Sequence, residues 1–211
     1  MKKLAILVAS ISLVACSQNP IATNAIASAA GVPVAGGMQN LNAGPLVQKM
    51  NESMLNMSMA QKFTFEAFGL KNEAELAASN AKAYENGNAV NADILDKTSA
   101  ADAKISEYLA KNKKLNAAGK KKLSEAMPYY SKSMLLSAGL GMQMSQAVAS
   151  ISANPTSLLS GPYKANELIT VFTSSPQLLT KMATTTRNLS TYASTNGVDT
   201  KAVDSSLKDL K

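Results

Sequence analysis

The most constraining feature of the sequence is an apolar repeat that runs through residues 123–151. Its members recur in alternating steps of four and three: Leu123, Met127, Tyr130, Met134, Ser137, Gly141, Met144, Val148 and Ile151. A seam of this kind places one face of a helix against other helices over four heptads. We therefore expect a long central helix at 123–151, which Pro128 should either kink or divide by starting a new segment after a break. Gly139 and Gly141 leave small flat spots where another helix can approach closely.

Caps, stops and apolar spacing predict further helices on both sides of this central one. They are expected at about 45–68, 72–86, 99–114, 162–173, 176–195 and 200–210. Ser99 would cap the third helix with Asp102 as its acidic partner, and Ser175-Pro176 would begin the sixth as a cap followed by proline. The predicted fold class is all-α, a single helical-bundle domain of six or seven helices over residues 45–211.

The first fifteen residues have the organisation of a secretory signal peptide. Lys2 and Lys3 precede an apolar run at residues 4–14, which is too short to span a bilayer because a spanning helix takes about 20 apolar residues. Cys16 follows directly and is the only cysteine of the chain. A single cysteine excludes an intrachain disulfide and leaves the thiol for another use.

The segment Leu13-Val14-Ala15-Cys16 resembles the lipobox of bacterial lipoproteins, and the resemblance covers the signal region only. It implies cleavage before Cys16, a diacylglycerol on its thiol, an acyl chain such as palmitate on its new amine, and attachment to a membrane. Ser17 in place of Asp favours the outer membrane, facing the periplasm or the cell surface. Residues 16–44 would be the lipidated Cys and a flexible tether, since residues 17–44 are rich in Ala and Gly and carry no charge.

Composition excludes several function classes. Removal of residues 1–15 leaves 19 basic and 14 acidic side chains, and Arg187 is the only arginine. We expect no nucleic-acid partner, because specific recognition relies on arginine. Histidine is absent, which excludes Ser-His-Asp and Cys-His catalysis. Matches to a Ser-x-x-Lys pattern at Ser79 and Ser205 are expected by chance in this chain, so we expect neither an enzyme nor a cofactor.

A lysine cluster flanks the predicted turn between the third and fourth helices. It comprises Lys111, Lys113, Lys114, Lys120, Lys121 and Lys122. The last three would lie at a helix N-terminus, where the macrodipole disfavours cations. This local cost suggests an anionic partner such as lipid headgroups, lipopolysaccharide phosphates or peptidoglycan carboxylates. A solvated turn is the favoured interpretation, and an anionic-partner patch is the alternative.

Methionines form a second candidate site. Met50, Met54, Met57 and Met59 fall within ten residues, and thioethers are soft ligands that select Cu(I). Spacings of four and three place the first three on the face that a core requires, where methionine fills irregular gaps. Met59 falls off that stripe. Core packing is the favoured interpretation, so no metal site is predicted, and copper binding is the alternative.

The sequence thus predicts a lipid-anchored bacterial cell-envelope protein with a non-enzymatic structural, assembly or binding role. Its partners would be the membrane, through the lipid on Cys16, and an envelope protein or an anionic envelope component. The alternative function is a periplasmic ligand carrier. Such a carrier would bind Cu(I) through the methionines or hold an apolar small molecule in the helical bundle.

Overall fold

The computed structural model describes residues 43–87, 91–153 and 165–210. These ranges contain seven helices and no strand: α1 (Ala43–Phe68), α2 (Lys71–Glu85), α3 (Ala92–Ala110), α4 (Ala117–Ser137), α5 (Leu140–Ala153), α6 (Ala165–Thr195) and α7 (Lys201–Lys208). The predicted all-α bundle is confirmed. The signal peptide predicted at 1–15 lies outside the described residues, and so does the predicted tether from residue 16 to residue 42.

Helix α1 takes the central place that the sequence analysis gave to residues 123–151. It packs most extensively against α4 and α2 and also contacts α3 and α5. Its apolar stripe, Val47, Met50, Met54, Met57 and Phe65, is fully buried. Gln61 and Thr64 continue this stripe, since steps of four and three lead to them from Met57, and they are buried as well. Burial extends beyond the stripe to Ser53, Asn56 and Ala60. A helix that is buried on several faces belongs to the interior of a bundle.

The predicted continuous helix at 123–151 is wrong, because the structure divides it into α4 and α5. Gly139 separates them in the left-handed backbone region, with a φ of 74° that other residues rarely adopt. Helix α4 continues through Pro128 and ends at Ser137. The predicted inward face is nevertheless right. Seam residues on both helices are buried, namely Leu123, Met127, Tyr130, Met134, Ser137, Met144 and Ile151.

The two helices predicted at 162–173 and 176–195 are one helix, α6, which continues through Pro176. Proline lacks the N–H that a helix interior needs. In the turn before it, the Ser175 hydroxyl donates to the Val171 carbonyl oxygen at 2.6 Å. Helix α5 packs against α6, and a Cβ added to Gly141 would lie 3.9 Å from the Pro176 Cβ. The predicted flat spot at Gly141 is therefore where α6 approaches α5.

Helix α3 begins earlier than predicted. Asn91 caps it by accepting a hydrogen bond from the Asp93 N–H at 3.0 Å. Asparagine is among the best N-cap residues, so this cap outcompetes the predicted one at Ser99, which lies inside α3. Asp102 is consequently no capping residue, and it is buried between helices.

The interface of α1 and α4 is held by polar contacts at one end and by a close approach at the other. The Ser53 and Ser137 hydroxyls are 2.8 Å apart, and the Ser133 hydroxyl donates to the Ser53 carbonyl oxygen at 2.9 Å. At the other end, a Cβ added to Gly119 would lie 2.7 Å from the carbonyl oxygen of Ala67. Glycine therefore lets the end of α1 meet the beginning of α4.

We predict that Gly119→Ala lowers the free energy of unfolding by about 1–3 kcal/mol, because the added carbon meets backbone. Gly141→Ala is the matched control. Its Cβ would make only an ordinary 3.9 Å contact, so helix propensity should leave stability equal or raise it by up to about 1 kcal/mol. Urea unfolding followed by circular dichroism measures both. Equal midpoints for Gly119→Ala and the parent would contradict the close approach.

Candidate functional site

The turn between α3 and α4, residues 111–116, is fixed against the end of α6. The Tyr192 hydroxyl donates to the carbonyl oxygen of Lys113, and the Leu115 N–H donates to Asn196 Oδ1 at 3.0 Å. The Leu115 side chain is buried. A contact from α6, a contact from the residue that follows it and a buried leucine therefore hold this turn in a defined position.

Five of the six predicted lysines are exposed around this turn. They are Lys111, Lys113, Lys114, Lys120 and Lys121, and we call them the lysine surface. Within the described ranges, none of the five forms an ion pair with a carboxylate. The lysine surface thus carries five positive charges that the described part of the bundle leaves uncompensated at close range.

Lys122 differs from the other five lysines. Its Nζ lies 3.0 Å from Glu66 Oε2 and 3.0 Å from Glu125 Oε2, and 5.3 Å from the centre of the Phe63 ring. Burial raises the pKa of Glu66, but the hydrogen bond from Lys122 and the nearby charge of Lys62 outweigh it and hold that pKa below its ordinary value. Lys122 therefore joins α4 to α1.

The electrostatic cost of lysines at the start of α4 is smaller in the structure than the sequence alone indicates. The first turn of α4 contains no acidic residue, as expected. However, the carbonyl end of α1 lies beside this turn, where Ala67 approaches Gly119. The negative end of one helix dipole offsets the positive end of the other. The signal that remains is the exposure of five lysines without ion pairs.

A second feature is an open apolar groove between α2 and α3, with a volume of about 350 Å³. Its lining consists of Phe65, Glu73, Leu76, Ala77, Asn80, Lys97, Ala100, Ala101 and Lys104. Leu76 is 66% exposed there. At the rim, Lys97 pairs with Asp93 at 2.6 Å and Lys104 with Glu107 at 3.4 Å. The sequence analysis missed this groove because it began α3 seven residues too late.

The methionines do not form one cluster. Met50, Met54 and Met57 are fully buried in the core, and the Ser175 hydroxyl lies 3.9 Å from Met50 Sδ. Met59 is nine residues from Met50, which at 3.6 residues per turn places it on the opposite side of α1. Within the described residues, no group of three or more His, Cys, Asp or Glu side chains is arranged to hold a metal ion.

A buried polar network lies next to the groove, and sequence reasoning missed it. Gln61 Nε2 donates to Asp102 Oδ1 at 2.9 Å and to the Thr98 carbonyl oxygen at 3.0 Å. Burial raises the pKa of Asp102 to about 7, although the hydrogen bond from Gln61 acts in the opposite direction. The burial of Asp102 could have been predicted from helical spacing, since Asp102 shares the inward face of α3 with Thr98 and Ile105.

Compared with protein-family models, with curated proteins and with solved structures, the chain gives no match. In the part of the chain that the structure describes, no helix combines the length and the apolar character that crossing a membrane requires. The features that bear on function are therefore the lysine surface, the groove and the N-terminal sequence.

Proposed function

We propose that this chain is a lipid-anchored protein of the bacterial cell envelope, without a catalytic role, whose helical body binds a phosphate-bearing anionic surface. The lipobox resemblance of Leu13-Val14-Ala15-Cys16 supports the anchor. The observation that carries the binding function is the lysine surface, whose five exposed lysines form no ion pair among the described residues. Three of them lie on the fixed turn and two at the beginning of α4.

The electrostatic attraction available to this surface is substantial. A lysine near an anionic membrane contributes about 1 kcal/mol, so five of them contribute several kcal/mol at physiological salt. Attachment through Cys16 would add to this, because a tethered body meets the surface at a high effective concentration. Weak individual contacts are then sufficient for stable association.

The geometry of the chain permits this contact at the membrane that holds the anchor. The lysine surface lies near the C-terminal end of α1, whose 26 residues are about 39 Å long. The 26 residues between Cys16 and Ala43 can span at most about 90 Å when extended. The connecting segment is therefore long enough for the lysine surface to reach the same membrane, including phosphates of lipid headgroups or of lipopolysaccharide.

The anchor has its own test, which is the replacement Cys16→Ser in the expressing bacterium. We expect this variant to stay unprocessed and to incorporate no labelled palmitate, because the acylated thiol is absent. A matched control is Ser17→Ala, which retains the thiol and should be processed and labelled. Normal maturation and membrane association of Cys16→Ser would contradict the proposed anchor.

The lysine surface is tested by replacing its five lysines with glutamine and measuring cosedimentation with vesicles that contain anionic phospholipid. We expect binding to fall by tenfold or more at low salt, and the binding of the parent to fall as salt rises. The control replaces five exposed lysines elsewhere, Lys82, Lys132, Lys181, Lys201 and Lys208, and so has the same net charge.

Equal losses in the two five-lysine variants would show that only net charge matters and would contradict a specific surface. A parallel arm uses isolated peptidoglycan. Binding to peptidoglycan alone, with no binding to the vesicles, would identify carboxylates instead of phosphates as the partner.

The groove supports a second candidate function, a carrier of an apolar small molecule. Its volume of about 350 Å³ lies at the lower end of the range typical for small-molecule sites. Its lining is mostly carbon, and Leu76 is an exposed large side chain that a ligand would cover. Copper binding through the methionines stays a prediction without such support, since three of the four are sealed in the core.

The carrier function predicts that native mass spectrometry of the full chain detects a bound apolar molecule, and that Leu76→Ser reduces its occupancy severalfold. Leu135→Ser is the matched control, because Leu135 is the other strongly exposed large hydrophobic residue of the described chain, at 50% exposure, and lies on α4. Equal occupancy in both variants would contradict a site in the groove. This result is independent of vesicle binding.

A further inference from the structure

The four hydroxyl groups that are hydrogen-bonded into the buried network around Asp102 have no proton left to donate to it. The hydroxyls of Thr64 and Thr98 donate to carbonyl oxygens four residues earlier in their own helices, at 2.8 and 3.0 Å. The Tyr130 hydroxyl must therefore donate to the Thr64 oxygen at 3.2 Å, and the Tyr84 hydroxyl to the Thr98 oxygen at 2.9 Å. Each of these four protons is already used.

The amide of Gln61 is likewise exhausted as a donor. Its two N–H groups point to the Thr98 carbonyl oxygen and to Asp102 Oδ1. Two acceptors remain without a donor, Asp102 Oδ2 and Gln61 Oε1. They belong to two groups that are already joined by a hydrogen bond, and both are buried, where an unmatched acceptor is strongly unfavourable.

We propose that Asp102 is protonated in the folded protein and forms an acid–amide pair with Gln61. In this pair the carboxyl O–H donates to Gln61 Oε1 while the Gln61 N–H donates to Asp102 Oδ1. One proton then satisfies both remaining acceptors. Two parallel hydrogen bonds then join α3 to α1 next to the groove. This inference goes beyond the proposed function, because it makes the stability of the α1–α3 contact depend on pH.

The groups that face Asp102 support a neutral carboxyl. Gln61 reaches it from α1, and Tyr130 lies near it from α4, while Tyr84 of α2 reaches the network at Thr98. Burial raises the pKa of both tyrosines, so they stay neutral. Among the described residues, no ammonium or guanidinium group contributes to the pKa of Asp102, which burial raises.

The charged groups of the neighbouring helices lie away from the network. On α1, Lys62 and Glu66 pair with each other at 3.4 Å. On α6, Glu167, Lys181 and Arg187 are exposed. On α2, the residues Lys71, Glu75, Lys82 and Glu85 are exposed, and Glu73 lines the groove. Desolvation is therefore the dominant influence on the pKa of the Asp102 carboxyl.

The direction of the pH effect follows from linkage. The pKa of Asp102 is about 7 in the folded protein, against an ordinary value of 3.8. A group whose pKa is raised by folding contributes stability that is complete below the ordinary value and is lost as pH rises through the folded value. The unfolding constant should therefore increase between about pH 4 and pH 7, because Asp102 ionises in the unfolded chain but not in the folded protein.

The test is Asp102→Asn in the full chain. Asparagine can donate through Nδ2 to Gln61 Oε1 and does not titrate, so it retains both hydrogen bonds. Between pH 5 and pH 8, we expect the ratio of the parent's unfolding constant to that of Asp102→Asn to rise on the order of a hundredfold. The control Asp96→Asn removes an exposed carboxylate from the same helix and should keep the pH dependence of the parent.

Carboxyl carbon NMR of the parent chain gives a second readout that needs no variant to fold. One aspartate should titrate near pH 7. If every aspartate is already ionised at pH 6, or if the parent and Asp102→Asn show the same pH dependence, the proposal is overturned and a buried water must satisfy the two acceptors. Neither result depends on binding to vesicles.

Discussion

The bundle depends on the burial of α1 on several faces at once. Its methionine stripe fills the core, but Ser53, Gln61 and Thr64 are buried too, and buried polar groups need partners. Those partners come from other helices: serines of α4 bind Ser53, and α3 binds Gln61. Apolar packing alone would allow α1 to slide or rotate against its neighbours. These directional contacts specify one arrangement of α1, α3 and α4.

The lysine surface is a consequence of this arrangement. Because α1 ends where α4 begins, the turn from α3 into α4 is brought to the same end of the bundle. Tyr192 at the end of α6 and Asn196 directly after it then fix that turn. The bundle thus presents five exposed cations on a defined turn and the adjoining start of α4, while Lys122 is retained as a structural contact to Glu66.

The sequence predicted what depends on local periodicity and missed what depends on tertiary contacts. The heptad seam gave the buried face of α4 and α5 correctly, since burial follows helical spacing. It could not show that Gly139 adopts a positive φ, or that α6 continues through Pro176. Asp102 looked like a capping residue because local rules favour that role. Its burial against Gln61, like the groove, exists only once α1, α2 and α3 are packed together.

The central claim is that a bundle organised around α1 binds anionic surfaces through the lysine surface. Hydrogen–deuterium exchange of the full chain, with and without anionic vesicles, tests both parts at once. Amides of α1 should exchange most slowly in either condition, because the buried helix opens only on global unfolding. Vesicles should slow exchange chiefly at residues 111–121. Fast exchange in α1, or protection confined to another surface, would contradict the account.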